Sequence, residues 1–321
     1  MLGVMRALLV ANPAATTTNR KVRDVLVRAL SSELKVEVAE TTHRGHAREL
    51  AAQAAGEGVD VVVTLGGDGT VNEAANGLLA AGPGAAVPTL AVVPGGSTNV
   101  FSRALGRSRD PVEATGEILD SIRAGRTRLV SLGSASARTA EEGWTAPRWF
   151  VFAAGMGFDA DVIARVEAQR ARGRRSSGAL YVRSGVASFL LGRDRRRPPL
   201  TLTRPGGPPV DGLFLALVSN VSPWTYLGTR PINPSPEASL DTGLDVYAMG
   251  RVGVVRMLHH LRQTMADRPD ARGRGVHRWH DLAELELTSS RPQGWQLDGD
   301  HLGAATGLRV RSVPDALRVV V

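Results

Sequence analysis

Leu65-Gly66-Gly67-Asp68-Gly69-Thr70-Val71-Asn72-Glu73 follows an apolar run, Asp60 to Leu65 (DVVVTL), and opens a pattern in which Ala74, Ala75, Leu78 and Leu79 recur at helical spacing. Strand, glycine turn and helix in that order form a phosphate cradle. Glycines let the backbone approach an anion closely, and the N–H groups and positive dipole end at the helix start attract it. Asp68 is the odd residue, because a carboxylate beside phosphates needs a bridging cation or hydroxyl partners; it points to Mg2+ or a ribose contact. The plain structural alternative is a β-turn before a helix capped by Thr70, with Glu73 completing a capping box. Three glycines interleaved with Asp and Thr exceed what a turn alone requires.

A second loop of the same kind follows another apolar run. Thr89 to Val93 (TLAVV) leads into Pro94-Gly95-Gly96-Ser97-Thr98-Asn99-Val100-Phe101-Ser102-Arg103, whose Ser97, Thr98 and Asn99 offer hydroxyl and amide groups or, equally, a helix N-cap. A third loop, Asn12-Pro13-Ala14-Ala15-Thr16-Thr17-Thr18, ends the run Arg6 to Ala11 (RALLVA). Taken alone, it reads more readily as turn chemistry than as a site. Arg20 to Leu30 and His46 to Ala55 carry helical spacing between these runs, so the first third reads as an α/β sheet. In such sheets ligands bind outside the carboxyl ends of the strands, where all three loops gather. Pro111 to Ala124 reads as a further helix with Asp110 as its N-cap.

From about Leu129 the texture changes to short apolar or alternating runs: Trp149 to Ala153, Leu213 to Ser219, Leu244 to Ala248 and Leu282 to Leu287. These predict a β-rich second domain with one helix, Val254 to Met265, inserted in it. Ala316 to Val321 predicts a strand that returns to the first sheet, and Arg170 to Ser177 reads as a surface loop. A chain of 321 residues exceeds the usual size of one core, in keeping with two domains.

The composition is that of a folded globular protein, 43% hydrophobic and 22% charged. Absence of cysteine excludes disulfides, thiolate metal sites and a cysteine nucleophile. The net charge of +8 gathers in Arg170, Arg172, Arg174 and Arg175, in Arg193, Arg195, Arg196 and Arg197, and in Arg272 and Arg274, which reads as readily as a solvated arginine-rich surface as it does as a site for anionic partners. Only 4% aromatic residues and no groove-reading or base-stacking signature argue against nucleic acid, leaving an anionic membrane surface as the preferred partner. The start of the chain, MLGVMRALLVANP, has neither a cleavage pattern nor roughly 18 apolar residues in a row, so a cytoplasmic location is the default expectation.

A fourth motif lies late in the chain: Gln296-Leu297-Asp298-Gly299-Asp300-His301-Leu302-Gly303. Asp-Gly-Asp is a common hairpin turn. It also sets two carboxylates together, and an alcohol attacking a γ-phosphoryl group needs a carboxylate to orient it and take its proton.

Together GGDGTVNE, PGGSTNVFSR, VANPAATTT and LDGDHLG resemble the catalytic domain of diacylglycerol kinase-like lipid kinases, as do Phe152 to Ala160 (FAAGMGFDA) and Ala238 to Val246 (ASLDTGLDV). The resemblance spans nearly the whole chain. It implies an α/β fold class, with an N-terminal α/β nucleotide-binding domain, residues 1–133 with 305–321 returning to it, and a C-terminal β-sandwich, residues 134–304, that contributes the general base and lipid site. It places ATP phosphates on Gly66, Gly67, Asp68, Gly69 and Thr70, with Asn12, Thr16, Thr41, Glu73 and the Gly96, Ser97, Thr98 and Asn99 loop nearby. Asp298 takes the place of the general base, with Asp300 beside it and Mg2+ bound through the nucleotide. The implied reaction is phosphorylation of a lipid such as diacylglycerol, at the inner face of the membrane, with a homodimer as an open alternative. Four positions depart from the family pattern: Thr17 stands near a usual Lys, Val100 replaces Asp, Asp300 replaces Glu, and Thr242 replaces the second carboxylate of the structural-metal segment. An NAD kinase-like enzyme with a soluble acceptor, and a non-catalytic nucleotide- or lipid-binding module, are the competing readings.

Overall fold

The computed structural model describes residues 4–16, 18, 20–171 and 197–321. The Arg193 to Arg196 cluster and the part of the expected surface loop beyond Ala171 lie outside the described residues. The chain divides into two compact units, Met1–Leu132 with Pro314–Val321, and Gly133–Val313.

The first unit is an α/β layer structure. Its strands β1 (Arg6–Ala11), β2 (Lys35–Glu40), β3 (Val61–Gly66) and β4 (Thr89–Pro94) are parallel and lie in the order β2-β1-β3-β4. Its helices are α1 (Arg20–Leu30), α2 (His46–Gly56), α3 (Asp68–Leu78), α4 (Val100–Ala104) and α5 (Pro111–Arg123). Every residue of β3 is buried, the continuous apolar run that a parallel strand covered on both faces requires. Leu26 and Leu30 of α1 and Ile118 and Leu119 of α5 share one core with Leu9, Val63 and Val93 of the sheet. The alternate positions Leu8, Val10, Val62 and Val92 point to the opposite face and are also buried. There α2 and α3 pack so closely that a Cβ at Gly77 would collide with the Arg48 carbonyl oxygen, and only glycine fits. Asp110 caps α5 as its sequence predicts, accepting from the Val112 and Glu113 amides at 2.8 and 3.0 Å ahead of Pro111.

The second unit is strand-rich and mainly antiparallel. β5 (Thr127–Thr139) leads into it, followed by β6 (Gly143–Trp144), β7 (Arg148–Phe150), β8 (Ala153–Gly157), α6 (Phe158–Ala171), β9 (Leu200–Thr203) and β10 (Val210–Ser219). Next come β11 (Thr225–Leu227), β12 (Arg230–Ile232), β13 (Leu244–Gly250), α7 (Val254–Thr264), β14 (Val276–Leu282), β15 (Glu284–Leu297) and β16 (Asp300–Val320), and the last of these leads back to the first unit, where Val319 pairs with Leu90. Two strands change partner along their length. β10 pairs with β9 at Val210 and Leu213 and with β8 from Leu215 to Ser219, across a register shift beside Gly212, whose φ is 71°. β15 pairs with β9 from Glu286 to Ser289 and with β8 from Trp295 to Leu297. Strands that switch partners through such irregularities fold a sheet over into two layers, around a core that includes Phe150, Met156, Leu202, Leu287, Trp295 and Leu308.

Three local readings are corrected. Trp149 to Ala153 is not one strand: β7 ends at Phe150 and β8 begins at Ala153, because the amides of residues 151–153 turn to a side chain described below. Leu282 to Leu287 is broken at Ala283, whose carbonyl accepts from the Ser312 amide. α3 begins at Asp68 with Gly67 as its N-cap, so Thr70 does not cap it and Glu73 closes no capping box.

Candidate active site

The strand order reverses between β1 and β3, since β1 pairs with β2 on one side and β3 on the other. This switch point opens a crevice at the carboxyl ends of the strands, where α/β sheets bind ligands. The Asn12 loop and the Gly66 to Thr70 turn leave the sheet there. Asn12 Nδ2 donates to Thr70 Oγ1 at 3.1 Å, while Asn12 Oδ1 accepts from the Ala14 amide at 3.0 Å, so one side chain ties the two loops together. The second glycine loop closes against the first, with the Gly95 amide donating to the Gly66 carbonyl at 2.7 Å.

These backbones touch because neither carries side chains. A Cβ at Gly96 would stand 2.7 Å from Gly67 Cα, and one at Gly95 would meet Gly66 Cα at 2.9 Å and Thr18 Oγ1 at 2.8 Å. Four glycines therefore form a bare ledge at the start of α3, where the helix dipole and first-turn amides favour an anion. Thr18 Oγ1 is buried with no hydrogen-bond partner. A hydroxyl so placed fits a phosphate oxygen, and sequence reasoning quoted this residue without choosing it.

Asp68 is turned toward the second loop. Its carboxylate accepts from the Phe101 amide at 3.2 Å and also from the Val100 and Asn99 amides, which gathers the start of α4. Burial raises the Asp68 carboxyl above its ordinary range, and those amides with Arg103 pull it back. Asn99 holds a left-handed conformation (φ 49°) and closes its own loop, accepting from the Gly96 amide at 2.9 Å and donating to the Gly96 carbonyl at 2.8 Å. Glu73 reaches another element: its two oxygens accept from the Gly45 amide at 2.8 Å and the Ala47 amide at 3.2 Å, supporting the start of α2. Ser97 and Thr16 are exposed, Thr98 and Thr41 are half-buried, and the Thr41 amide donates to the Ala11 carbonyl at 2.9 Å. Gly69 is exposed on the first turn of α3. Among the described residues, no carboxylate pair on this ledge is turned outward to hold a metal.

In the second unit, Asp298 and Gly299 are the two central residues of the hairpin between β15 and β16, both with positive φ (49° and 80°). The turn is more than a turn. Asp298 is only 6% exposed, and its carboxylate accepts three backbone amides, Val151 on Oδ2 at 2.7 Å and Phe152 and Ala153 on Oδ1 at 2.9 Å each. That grip splits the expected Trp149 to Ala153 strand. Gln296 Oε1 accepts the Gly299 amide at 2.9 Å, and its Nε2 donates to Asp159 Oδ2 at 2.8 Å. Asp159, at the start of α6, is 5% exposed, and burial pushes its carboxyl up to about 7, against the opposing Gln296 bond and with some help from Asp161. Asp300 is half-buried at the far side of the turn.

A second polar group in this unit is formed by Glu237, Asp245 and His280, with ligand-type atoms within 4.8 Å of one another. Burial raises the Asp245 carboxyl, while the Asp281 amide at 3.2 Å and His280 Nδ1 at 2.7 Å pull it down. Arg278 already supplies a cation there, 4.0 Å from Glu237.

A parallel sheet with a glycine ledge at its switch point, followed by a strand-rich unit presenting a buried carboxylate turn, is the architecture of a phosphate-handling α/β protein. The model of the diacylglycerol kinase catalytic domain matches residues 6–135. A protein of Stenotrophomonas maltophilia (strain K279a) named "probable lipid kinase YegS-like" is 30% identical over 311 residues, which is 94% of this chain and 91% of that protein. The chain therefore belongs to the diacylglycerol kinase-like family of lipid kinases. In fold it is similar to the crystal structure of a diacylglycerol kinase from Bacillus anthracis str. Sterne, with a TM-score of 0.69 and 20% identity over 98% of this chain and 96% of that one. An NAD kinase from Archaeoglobus fulgidus, solved in complex with ATP, shares the fold more distantly, with a TM-score of 0.53 and 13% identity over 99% of this chain and 94% of that one.

Proposed function

We propose that this lipid kinase transfers the γ-phosphoryl group of ATP to a hydroxyl of diacylglycerol, giving phosphatidic acid, as a peripheral enzyme at the cytoplasmic face of a membrane. The observation that carries the nucleotide half is the side-chain-free contact of Gly66 and Gly67 with Gly95 and Gly96 at the start of α3. It supports a triphosphate lying along amides, with Thr18 and Thr70 hydroxyls beside it. Mg2+, brought by the phosphates, offsets their charge when bound. Residues 1–132 with 314–321 serve the nucleotide, and residues 133–313 supply the lipid site and Asp298.

Asp298 is read as the residue that orients the acceptor hydroxyl and takes its proton. Its three amide bonds fix the carboxylate in one direction and make it a firm acceptor more than a strong base. That suits phosphoryl transfer, where a loose transition state asks for positioning and charge stabilisation more than for proton abstraction. Asp300 stands beside it as support. Asp68 acts by holding the second glycine loop against the first, so its part in nucleotide binding is through shape.

The test is an acceptor panel in mixed micelles with ATP and Mg2+: diacylglycerol, a sphingoid base, ceramide and, as the soluble control, NAD. Diacylglycerol is expected to give the highest kcat/KM. Preferred turnover of NAD, or of a sphingoid base, would replace the acceptor named here.

A further inference from the structure

Ten large apolar side chains are exposed among the described residues, and four of them sit on the single helix α7: Val254 (41%), Val255 (81%), Leu258 (57%) and Leu261 (40%). At helical spacing Val254, Leu258 and Leu261 share one face, with Val255 on its flank. An adjoining face holds the helix to the protein. His260 and Thr264 are buried there, and Met257 packs against the cluster of Phe214, Leu215, Tyr247, Met249 and Val252. A helix anchored by one side and apolar on the other is not a solvated helix.

Its charges choose the partner. α7 contains no acidic residue, and Arg256 and Arg262 on it, with Arg251 before it and Arg268 after it, are all exposed. We propose that α7 docks this protein on an anionic lipid bilayer, with Val255 and Leu258 entering the headgroup boundary and the four arginines engaging lipid phosphates. Interfacial helices bind in this way, by buried apolar area together with attraction of basic residues to anionic lipid. Eleven residues are too few to span, so the helix lies in the interface. A second copy of the same face would oppose like charges. The inference deepens the lipid-kinase reading and rests on it.

Co-flotation of the full chain with phosphatidylcholine vesicles, with and without phosphatidylglycerol, tests it. The wild type is expected to float with the anionic vesicles and to be released by salt. Val255→Asp combined with Leu258→Asp should weaken binding by ~10-fold or more, and Arg256→Glu combined with Arg262→Glu should abolish the preference for anionic lipid. A Leu258→Trp variant should gain fluorescence that brominated lipid quenches. Because these side chains face outward, thermal unfolding should be unchanged. Turnover of a short-chain acceptor in detergent should also be unchanged, which separates failure of docking from failure of the kinase reading. Wild-type binding to neither vesicle, full binding by the Val255/Leu258 variant, or an added fluorescence in Leu258→Trp that brominated lipid leaves unquenched would overturn the proposal. So would a dimer that Leu258→Asp dissociates, which would give the face to a second copy.

Discussion

Asp159 carries a carboxyl group closed off from water, and its burial sets a sign that can be measured. An exposed aspartate in the unfolded chain ionises near 3.9, whereas in the folded protein this one titrates at about 7. Between those values the folded state keeps a proton that the unfolded state has lost. The contribution of Asp159 to stability is therefore intact below pH ~4, falls as pH rises through 7, and stays lost above it. Asp159→Asn keeps an acceptor for Gln296 and should stabilise the protein by up to ~3–4 kcal/mol at pH 8 while changing little at pH 4. Urea unfolding at the two pH values reads this, and a pH-independent difference would show that burial is not the cause. Asp298 is held differently, its carboxylate accepting three backbone amides. Asp298→Asn cannot take the acceptor's proton and should lower kcat by on the order of 10²–10⁴-fold with KM for ATP nearly unchanged; because its NH2 group also opposes at least one of those amides, Tm is measured beside the kinetics, and a loss of kcat that only follows a loss of fold would leave the turn merely structural.

At the scale of elements, the two glycine turns act as one device. Gly96→Ala puts a Cβ 2.7 Å from Gly67 Cα and so pries the loops apart; the expected outcome is loss of ATP binding by calorimetry, with a modest fall in Tm. Gly116→Ala on α5, where a Cβ likewise meets nothing within 4 Å, should keep both, and equal damage from the two changes would refute the packing argument. The elements that the sequence announced are those whose signal is local: the apolar runs of β1, β3 and β4, the glycine turns after them, and the Asp110-Pro111 start of α5. β2 escaped because KVEVAE is an edge strand with half its residues charged and exposed. The break between β7 and β8 was invisible because its cause, Asp298, lies 145 or more residues away. Separations of 33 residues from Asp68 to α4 and of 26 and 28 residues from Glu73 to α2 hid those ties in the same way, and in the structure both carboxylates brace the loops and helices around the ledge.

For the molecule as a whole, family membership and the glycine ledge converge on phosphoryl transfer, and the proposed docking of α7 adds attraction of exposed arginines to an anionic surface. Attraction of that kind is screened with a Debye length of about 10 Å at 0.1 M salt and 3 Å at 1 M. Turnover on vesicles should accordingly fall as salt is raised, while turnover in neutral micelles should not; parallel losses in both would assign the effect to the site itself. The most direct test of the central claim follows the phosphate. The purified protein is incubated with ATP labelled at the γ position, Mg2+ and a total lipid extract, and label is measured in the organic phase and assigned by mass. The account predicts a labelled lipid phosphate, formed by the wild type and nearly absent with Asp298→Asn. Label that stays in water with every lipid offered, or that enters NAD instead, would contradict it.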